Sequence, residues 1–104
     1  MPHNRIEESL LFDYYGELLT KHQIDILDEY FNEDLSMNEI ADNYSISKSA
    51  VQDLIKRSIK QLQNYEDKLN LIDKDIKLNK ILDSMKNEKN ELLDKYIVKI
   101  EKVK

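Results

Sequence analysis

Seven polar side chains near the middle of the chain have the types and spacing that could contact a nucleic acid. They are Ser47, Lys48, Ser49, Gln52, Lys56, Arg57 and Lys60. If one helix carries them into a major groove, the Gln52 amide can pair with an adenine edge, and the Ser49 hydroxyl can donate to a base or a phosphate. Lys56, Arg57 and Lys60 would instead neutralise phosphates, which adds affinity without reading sequence. The alternative is that these side chains form an ordinary solvated helix face.

The charges of the chain are divided between two parts, although the total is acidic. A net charge of −5 is unusual for a protein that binds polyanions. Residues 1–46 carry 2 basic and 11 acidic side chains, net −9, whereas residues 47–104 carry 14 basic and 10 acidic side chains, net +4. The sign changes at Ser47, so a polyanion would meet a favourable surface on one side only.

Two features oppose tight binding to DNA. Asp53 lies in the middle of the polar face, where its carboxylate would repel phosphate. The segment from Asp25 to Asp42 holds seven acidic side chains and no Lys or Arg. The partly cationic face would therefore attract phosphates, while the strongly acidic segment beside it would repel them.

Other kinds of chemistry find little support. The two histidines, His3 and His22, share no metal-ligand spacing with the carboxylates, and there is no cysteine. Gly16 is the single glycine, so a Gly-rich phosphate loop cannot form. We expect neither an enzyme nor a bound cofactor or metal ion. The absence of cysteine fits a reducing cytoplasm, and no apolar run approaches the ~20 residues that a membrane span needs.

The segment from Leu35 to Ile59 has the pattern of a helix-turn-helix, which would position the seven polar residues. A first helix would begin after Ser36 and end near Tyr44, and a second would begin after Ser47. The two helices would share a small apolar core. Its members are Ile40, Ala41, Ile46, Val51 and Leu54. Ala41 is small enough to let the helices approach closely, so the second helix would present its polar face outward.

Apolar periodicity predicts further helices on both sides of this unit. A stripe over Ile6–Leu19 indicates one helix, and Lys21–Phe31 forms another after an N-cap at Thr20. After Ser47, apolar residues recur every three or four positions with a possible break at Asp73, and the polar run Asn87–Asn90 precedes a last helix. The predicted fold is all-α: an N-terminal helical bundle with a helix-turn-helix, a long recognition helix and a C-terminal helical extension.

We expect a helix-turn-helix domain over residues 1–72 and a C-terminal extension over residues 73–104. The apolar stripe from Leu54 to Met85 is longer than the N-terminal unit can cover, and large exposed apolar surfaces are uncommon in monomers. This predicts a homodimer formed through the extension. The alternative is that the long helix folds back on the tail helix within one chain.

Several segments resemble one family of bacterial proteins. They are LFDYY at 11–15, LLT at 18–20, Tyr30–Phe31 with Asp34–Leu35–Ser36, EIA at 39–41 and YEDKL at 65–69. Together they resemble the YlxM family of helix-turn-helix proteins over about residues 8–72, and the helix-turn-helix is also similar to region 4 of sigma factors. Family members are typically encoded beside genes of the signal recognition particle pathway. The resemblance therefore implies a regulatory or accessory role in that pathway.

The start of the second helix departs from the family pattern. Members often carry Ser-Arg-Gln-Ala-Val there, whereas this chain has the run Ser47 to Val51, reading SKSAV. A lysine in place of the arginine keeps the charge but loses the planar group that binds guanine or phosphate through two hydrogen bonds. Direct reading of bases is expected to be weaker as a result.

Two functions remain open from the sequence. The first is a regulator that binds DNA or RNA through the face from Ser47 to Lys60. The second is a module that binds protein components of the signal recognition particle through its acidic helices, without binding DNA. The acidic residues in question are Asp28, Glu29, Glu33 and Asp34.

Overall fold

The computed structural model describes residues 4–103, and all regular structure within them is helical. The helices are α1 (Arg5–Tyr15), a 3₁₀ turn (Gly16–Leu18), α2 (Lys21–Phe31), α3 (Met37–Tyr44), α4 (Lys48–Leu69), α5 (Leu71–Asn87) and α6 (Glu91–Val103). The predicted all-α fold with a helix-turn-helix, formed by α3 and α4, is confirmed.

Each of α1, α2, α3 and α4 begins after an N-cap residue whose side chain accepts a backbone hydrogen bond. Asn4, Thr20, Ser36 and Ser47 each accept a hydrogen bond from the backbone N–H three residues later. Thr20 and Ser36 form complete capping boxes with Gln23 and Glu39. These caps depend only on residues three apart in sequence, which is why the starts of α2, α3 and α4 match the predicted ones.

The first helix is shorter than its apolar stripe predicts. It ends at Tyr15 and tightens into the 3₁₀ turn Gly16–Leu18, rather than continuing to Leu19. Gly16 is buried against the ring of Phe12, and a Cβ at this position would lie 2.9 Å from two ring carbons. The glycine therefore permits a close approach that no larger residue would allow without a shift.

The fourth helix ends at Leu69, with Asn70 as its C-cap, and not at the predicted break at Asp73. Asn70 has φ 56°, and its N–H donates to the carbonyl of Glu66 at 2.8 Å. Asparagine tolerates this left-handed conformation better than most residues, so it can end a helix as glycine does. Asp73 lies instead in the first turn of α5.

The chain divides at this point into two compact units, the first ending at Asn70 and the second beginning at Leu71. The division falls two residues before the domain boundary that we expected from the sequence. The assignment of the second unit to dimerisation stays a prediction.

Helix α4 is central to the first unit because α1, α2 and α3 all pack against it. The buried apolar side chains of this unit are Leu11, Tyr15, Leu19, Ile26, Leu27, Ile40, Ala41, Val51, Ile55 and Leu62. Of the predicted shared core, Ile40, Ala41 and Val51 are buried, whereas Ile46 and Leu54 are only half-buried. One side of α4 thus packs in the core, and its other side is exposed to solvent.

The second unit is a hairpin in which α5 packs against α6. Its buried apolar side chains are Ile72, Leu82 and Ile97. An ion pair between Lys86 and Glu101, 2.6 Å apart, joins the two helices. The polar break before α6 falls where the run Asn87–Asn90 predicted it.

Candidate nucleic-acid interface

The turn between α3 and α4 sets the start of the candidate interface. Ser45 closes α3 in a left-handed conformation with φ 54°, and the N–H of Ile46 donates to the carbonyl of Ala41 at 3.1 Å. Ser47 then caps α4, accepting a hydrogen bond from the N–H of Ala50 at 3.0 Å. Ser47 therefore holds the helix start, in addition to any contact that its hydroxyl makes with a ligand.

All seven predicted site residues are exposed to solvent on α4 or at its cap. At about 100° per residue, the members from Lys48 to Lys60 spread over roughly half of the helix circumference. The structure brings Ser49, Gln52 and Lys56 together along one groove, whereas Arg57 lines a different one. The predicted site is thus a broad ridge with a groove on either side.

The larger of these cavities, here named the α4 groove, has a volume of about 550 Å³. It is lined by Glu8, Tyr30, Met37, Ser49, Gln52, Asp53, Ile55, Lys56 and Ile59. Three of the predicted site residues therefore share a groove with two carboxylates and four apolar side chains. The sequence could not indicate which residues line this groove, because they come from four different helices.

Asp53 affects the interface through an ion pair within α4. Its carboxylate lies 3.0 Å from Nε of Arg57, one helical turn away, and both side chains are largely exposed. An exposed pair of this kind contributes little to stability and is easily broken. Asp53 therefore offsets part of the positive charge that Arg57 would offer to a phosphate.

Gln23 orients α4 in a way that the sequence alone did not reveal. Its Oε1 accepts hydrogen bonds from the backbone and side chain of Thr20, at 3.0 and 3.1 Å. Its Nε2 donates to Oγ of Ser58 at 3.0 Å and to Oε1 of Gln61 at 3.1 Å. Because Ser58 is fully buried, this contact satisfies a polar group that would otherwise be costly.

Gln23 also lines the second groove, which has a volume of about 500 Å³. The other residues that line it are Thr20, His22, Leu54, Arg57 and Gln61. Arg57, His22 and Gln61 could donate hydrogen bonds to a phosphate here. From the sequence, His22 had only been excluded as a metal ligand, and the other histidine, His3, lies outside the described residues.

A carboxylate between α2 and α3 holds the end of the helix before the turn. Oε1 of Glu29 accepts a hydrogen bond from Nδ2 of Asn43 at 2.8 Å, and its Oε2 is buried. Burial, together with a hydrogen bond to Glu29 and the charge of that carboxylate, raises the pKa of Tyr44 to about 12. Glu29 therefore stabilises the end of α3, the first helix of the helix-turn-helix, through these contacts.

The other three acids of the predicted protein-binding face point to solvent. Asp28 accepts a hydrogen bond from Nδ2 of Asn32, and Asp34 forms an ion pair with Arg5 at 3.1 Å. Glu33 is exposed as well. Thus only part of the acidic set that the sequence indicated is available on the surface.

Neither a metal site nor a membrane span occurs in the part of the chain that the structure describes. No group of three or more His, Cys, Asp or Glu side chains in residues 4–103 could hold a metal ion. No described helix is both long enough and apolar enough to cross a membrane.

Comparison with known proteins places these features in a family context. Residues 3–103 match the model of the family described as "Putative helix-turn-helix protein, YlxM / p13 like". A UPF0122 protein of Clostridium kluyveri is 50% identical over 99 residues, covering 88% of this chain and 89% of that protein. One from Clostridium perfringens is 47% identical over 98 residues (92% and 88% covered), and one from Acetivibrio thermocellus is 45% identical over 85 residues (81% and 73% covered).

Proposed function

We propose that this chain, which belongs to the YlxM / p13-like family of helix-turn-helix proteins, binds nucleic acid through the exposed face of α4. We further propose that it acts in the cytoplasm as a regulatory or accessory protein of the signal recognition particle pathway. One observation carries the binding proposal: seven polar side chains, four of them cationic, are exposed on α4 or at its N-cap.

The residues of this face divide into two roles. Ser49 and Gln52 lie in the first turns of α4, where a helix in a major groove approaches base edges. Lys56, Arg57 and Lys60 lie further along the same helix, where they would meet the phosphate backbone. The acidic α1–α3 would repel a polyanion, so among residues 4–70 the α4 face is the part that favours it.

The test of this proposal is a salt-dependent binding measurement on the full chain. The probes are duplex DNA and the RNA of the signal recognition particle, each titrated at two salt concentrations. Each phosphate contact contributes about 0.9 to the slope of log K against log salt on duplex DNA, so three contacts should give a slope of about −3. Replacing Lys56, Arg57 and Lys60 by Gln should weaken binding at least tenfold at the lower salt concentration and flatten this slope.

A matched triple variant controls for the general loss of positive charge. Lys74, Lys95 and Lys102 are exposed on α5 and α6, and their replacement by Gln removes the same charge elsewhere. We expect this control to change affinity by less than threefold. Equal losses in the two triple variants would show that α4 is not the binding face.

We also propose that two chains pair through α5 and α6. Several large apolar side chains of this hairpin are about half exposed or more in the single chain. They are Ile76 at 48%, Ile81 at 57%, Leu92 at 61%, Tyr96 at 52% and Val98 at 50%. A second copy would cover such surface, and symmetric pairs are the commonest oligomers.

A further inference from the structure

Several side chains that line the α4 groove have no role in the proposed binding of nucleic acid. Tyr30, Met37, Ile55 and Ile59 form an apolar lining, and Ile55 at its base is only 4% exposed. Phosphates gain nothing from such a surface. Glu8 and Asp53 line the same groove, and their carboxylates would repel a polyanion.

The helices that border the groove strengthen its negative character. Residues 1–46 carry 11 acidic side chains and 2 basic ones, Arg5 and Lys21. Both basic side chains are already paired with carboxylates, Arg5 with Asp34 at 3.1 Å and Lys21 with Asp25 at 2.9 Å. The potential around the groove is therefore negative on the side of α1, α2 and α3.

We propose that the α4 groove binds a cationic amphipathic helix of a partner protein. Apolar side chains at helical spacing on that partner would pack on Tyr30, Met37 and Ile59, as in other complexes where a helix lies in a groove. Its Lys and Arg side chains would face Glu8 and Asp53. A volume of about 550 Å³ accommodates a few such apolar side chains.

Lys56 is compatible with this ligand although it carries the same charge. It is exposed, so its methylene stem can extend the apolar lining while its ammonium group stays in water. Ser49 and Gln52 border the groove and can hydrogen-bond to polar groups of the partner. The charge complementarity thus depends on Glu8 and Asp53.

The same geometry implies that the partner helix and nucleic acid exclude each other. Ser49, Gln52 and Lys56 both line the groove and belong to the face proposed to contact nucleic acid. This consequence depends on the proposed function, whereas binding of the partner helix does not. The two proposals can therefore be tested apart.

The experiment uses fluorescence anisotropy with the full chain and a labelled 18-residue peptide of Leu and Lys arranged as an amphipathic helix. A peptide of the same composition in scrambled order is the first control. The variant pair Glu8→Gln/Asp53→Asn should weaken binding of the helical peptide at least fivefold. The pair Glu17→Gln/Asp42→Asn removes the same charge from exposed residues outside the groove and should weaken it less than twofold.

A third variant tests the apolar lining without changing the charge. Met37→Ala should weaken binding of the helical peptide at least threefold, and thermal unfolding of each variant verifies that it is folded. The proposal is overturned if the scrambled peptide binds as tightly as the helical one, or if both acid pairs weaken binding equally. Either result would mean that the acidic surface attracts cations without a specific groove.

Nucleic-acid binding is measured on the same variants to separate the two proposals. Glu8→Gln/Asp53→Asn should leave it unchanged or strengthen it, because both changes remove negative charge near the α4 face. The variant Arg57→Gln/Lys60→Gln changes two residues outside the α4 groove, so it should weaken nucleic-acid binding while binding the helical peptide at least as tightly as the original chain. If that variant lost binding of both the nucleic acid and the helical peptide, the result would contradict the proposal that the peptide binds in the α4 groove.

Discussion

The side chain of Gln23 makes four hydrogen bonds, two to Thr20 at the N-cap of α2 and two to residues in the middle of α4. The two bonds to Thr20 join the residues of the capping box, which local spacing predicted, whereas local spacing did not predict the bonds to Ser58 and Gln61. The difference is physical, since the box joins residues three apart whereas the other bonds need α2 and α4 to be packed. Local spacing could not predict the position of Glu29 either, because its burial beside Asn43 and Tyr44 depends on how α2 packs against α3.

Tyr44 gives a prediction about stability at alkaline pH. Its pKa is raised from 10.0 to about 12 in the folded chain, mainly by burial and also by Glu29. The folded state therefore favours the neutral phenol, and this contribution to the free energy of unfolding is fully present below pH 10 and is lost as the pH rises towards 12. We expect the stability advantage of the original chain over Tyr44→Phe to be constant up to about pH 10 and to shrink above it.

Urea unfolding at several pH values measures this difference. Ile6→Ala, a change at an 81% exposed residue that does not titrate, serves as a control and should differ from the original chain by an amount that does not change with pH. A Tyr44→Phe difference that stays constant from neutral pH to pH 12 would contradict a raised pKa at Tyr44.

At the scale of elements, the helix starts follow from side-chain caps, but two helix ends did not follow from the sequence. Asn70 ends α4 by adopting a left-handed conformation, and Gly16 follows the end of α1 in a turn pressed against Phe12. Asparagine and aspartate recur throughout this chain, so their type alone does not single out the one that leaves the helix. Which one does so depends on the packing of the helices on either side.

The turn of the helix-turn-helix allows a test at this scale. Ser45 holds φ 54°, a conformation that costs roughly 1–2 kcal/mol for a residue with a Cβ. Ser45→Gly should raise the free energy of unfolding by about 0.5–1 kcal/mol, because the relief of strain exceeds the entropy that glycine loses. Ser45→Val should lower it by about 1–2 kcal/mol, since a β-branched side chain fits this region poorly.

Chemical denaturation gives both values, and a glycine placed inside a helix provides the contrast. Ser49→Gly lies in α4 and should lower the free energy of unfolding by about 0.5 kcal/mol. A stabilising Ser49→Gly together with a destabilising Ser45→Gly would reverse the expected order and refute the left-handed assignment.

At the scale of the whole molecule, charge and apolar surface are separated along the chain. The acidic side chains dominate residues 1–46, whereas many of the exposed large apolar side chains lie in α5 and α6. The charge division can be read from the sequence. The exposure of Ile81 and Tyr96 requires the structure, because periodicity cannot tell which apolar residues a hairpin leaves uncovered.

The proposed pairing of two chains predicts a change in molecular mass on substitution. Sedimentation equilibrium should show a dimer for the original chain and a monomer for Ile81→Glu/Tyr96→Glu, because each change places a charge in the proposed interface. Ile6→Glu is a matched control in α1, where the side chain is 81% exposed, and it should remain dimeric. A monomer at every concentration of the original chain would rule out the pairing.

The sequence by itself determined the helical class, the caps that begin α2, α3 and α4, and the outward position of the seven polar residues of the candidate interface. These features depend on spacings of three or four residues, which a helix converts directly into neighbours. Only the tertiary structure decided that Gln52 and Lys56 share a groove with Glu8 and Tyr30, and that Glu29 lies inward. Those relations join residues far apart in sequence, and they exist only once several helices have packed around α4.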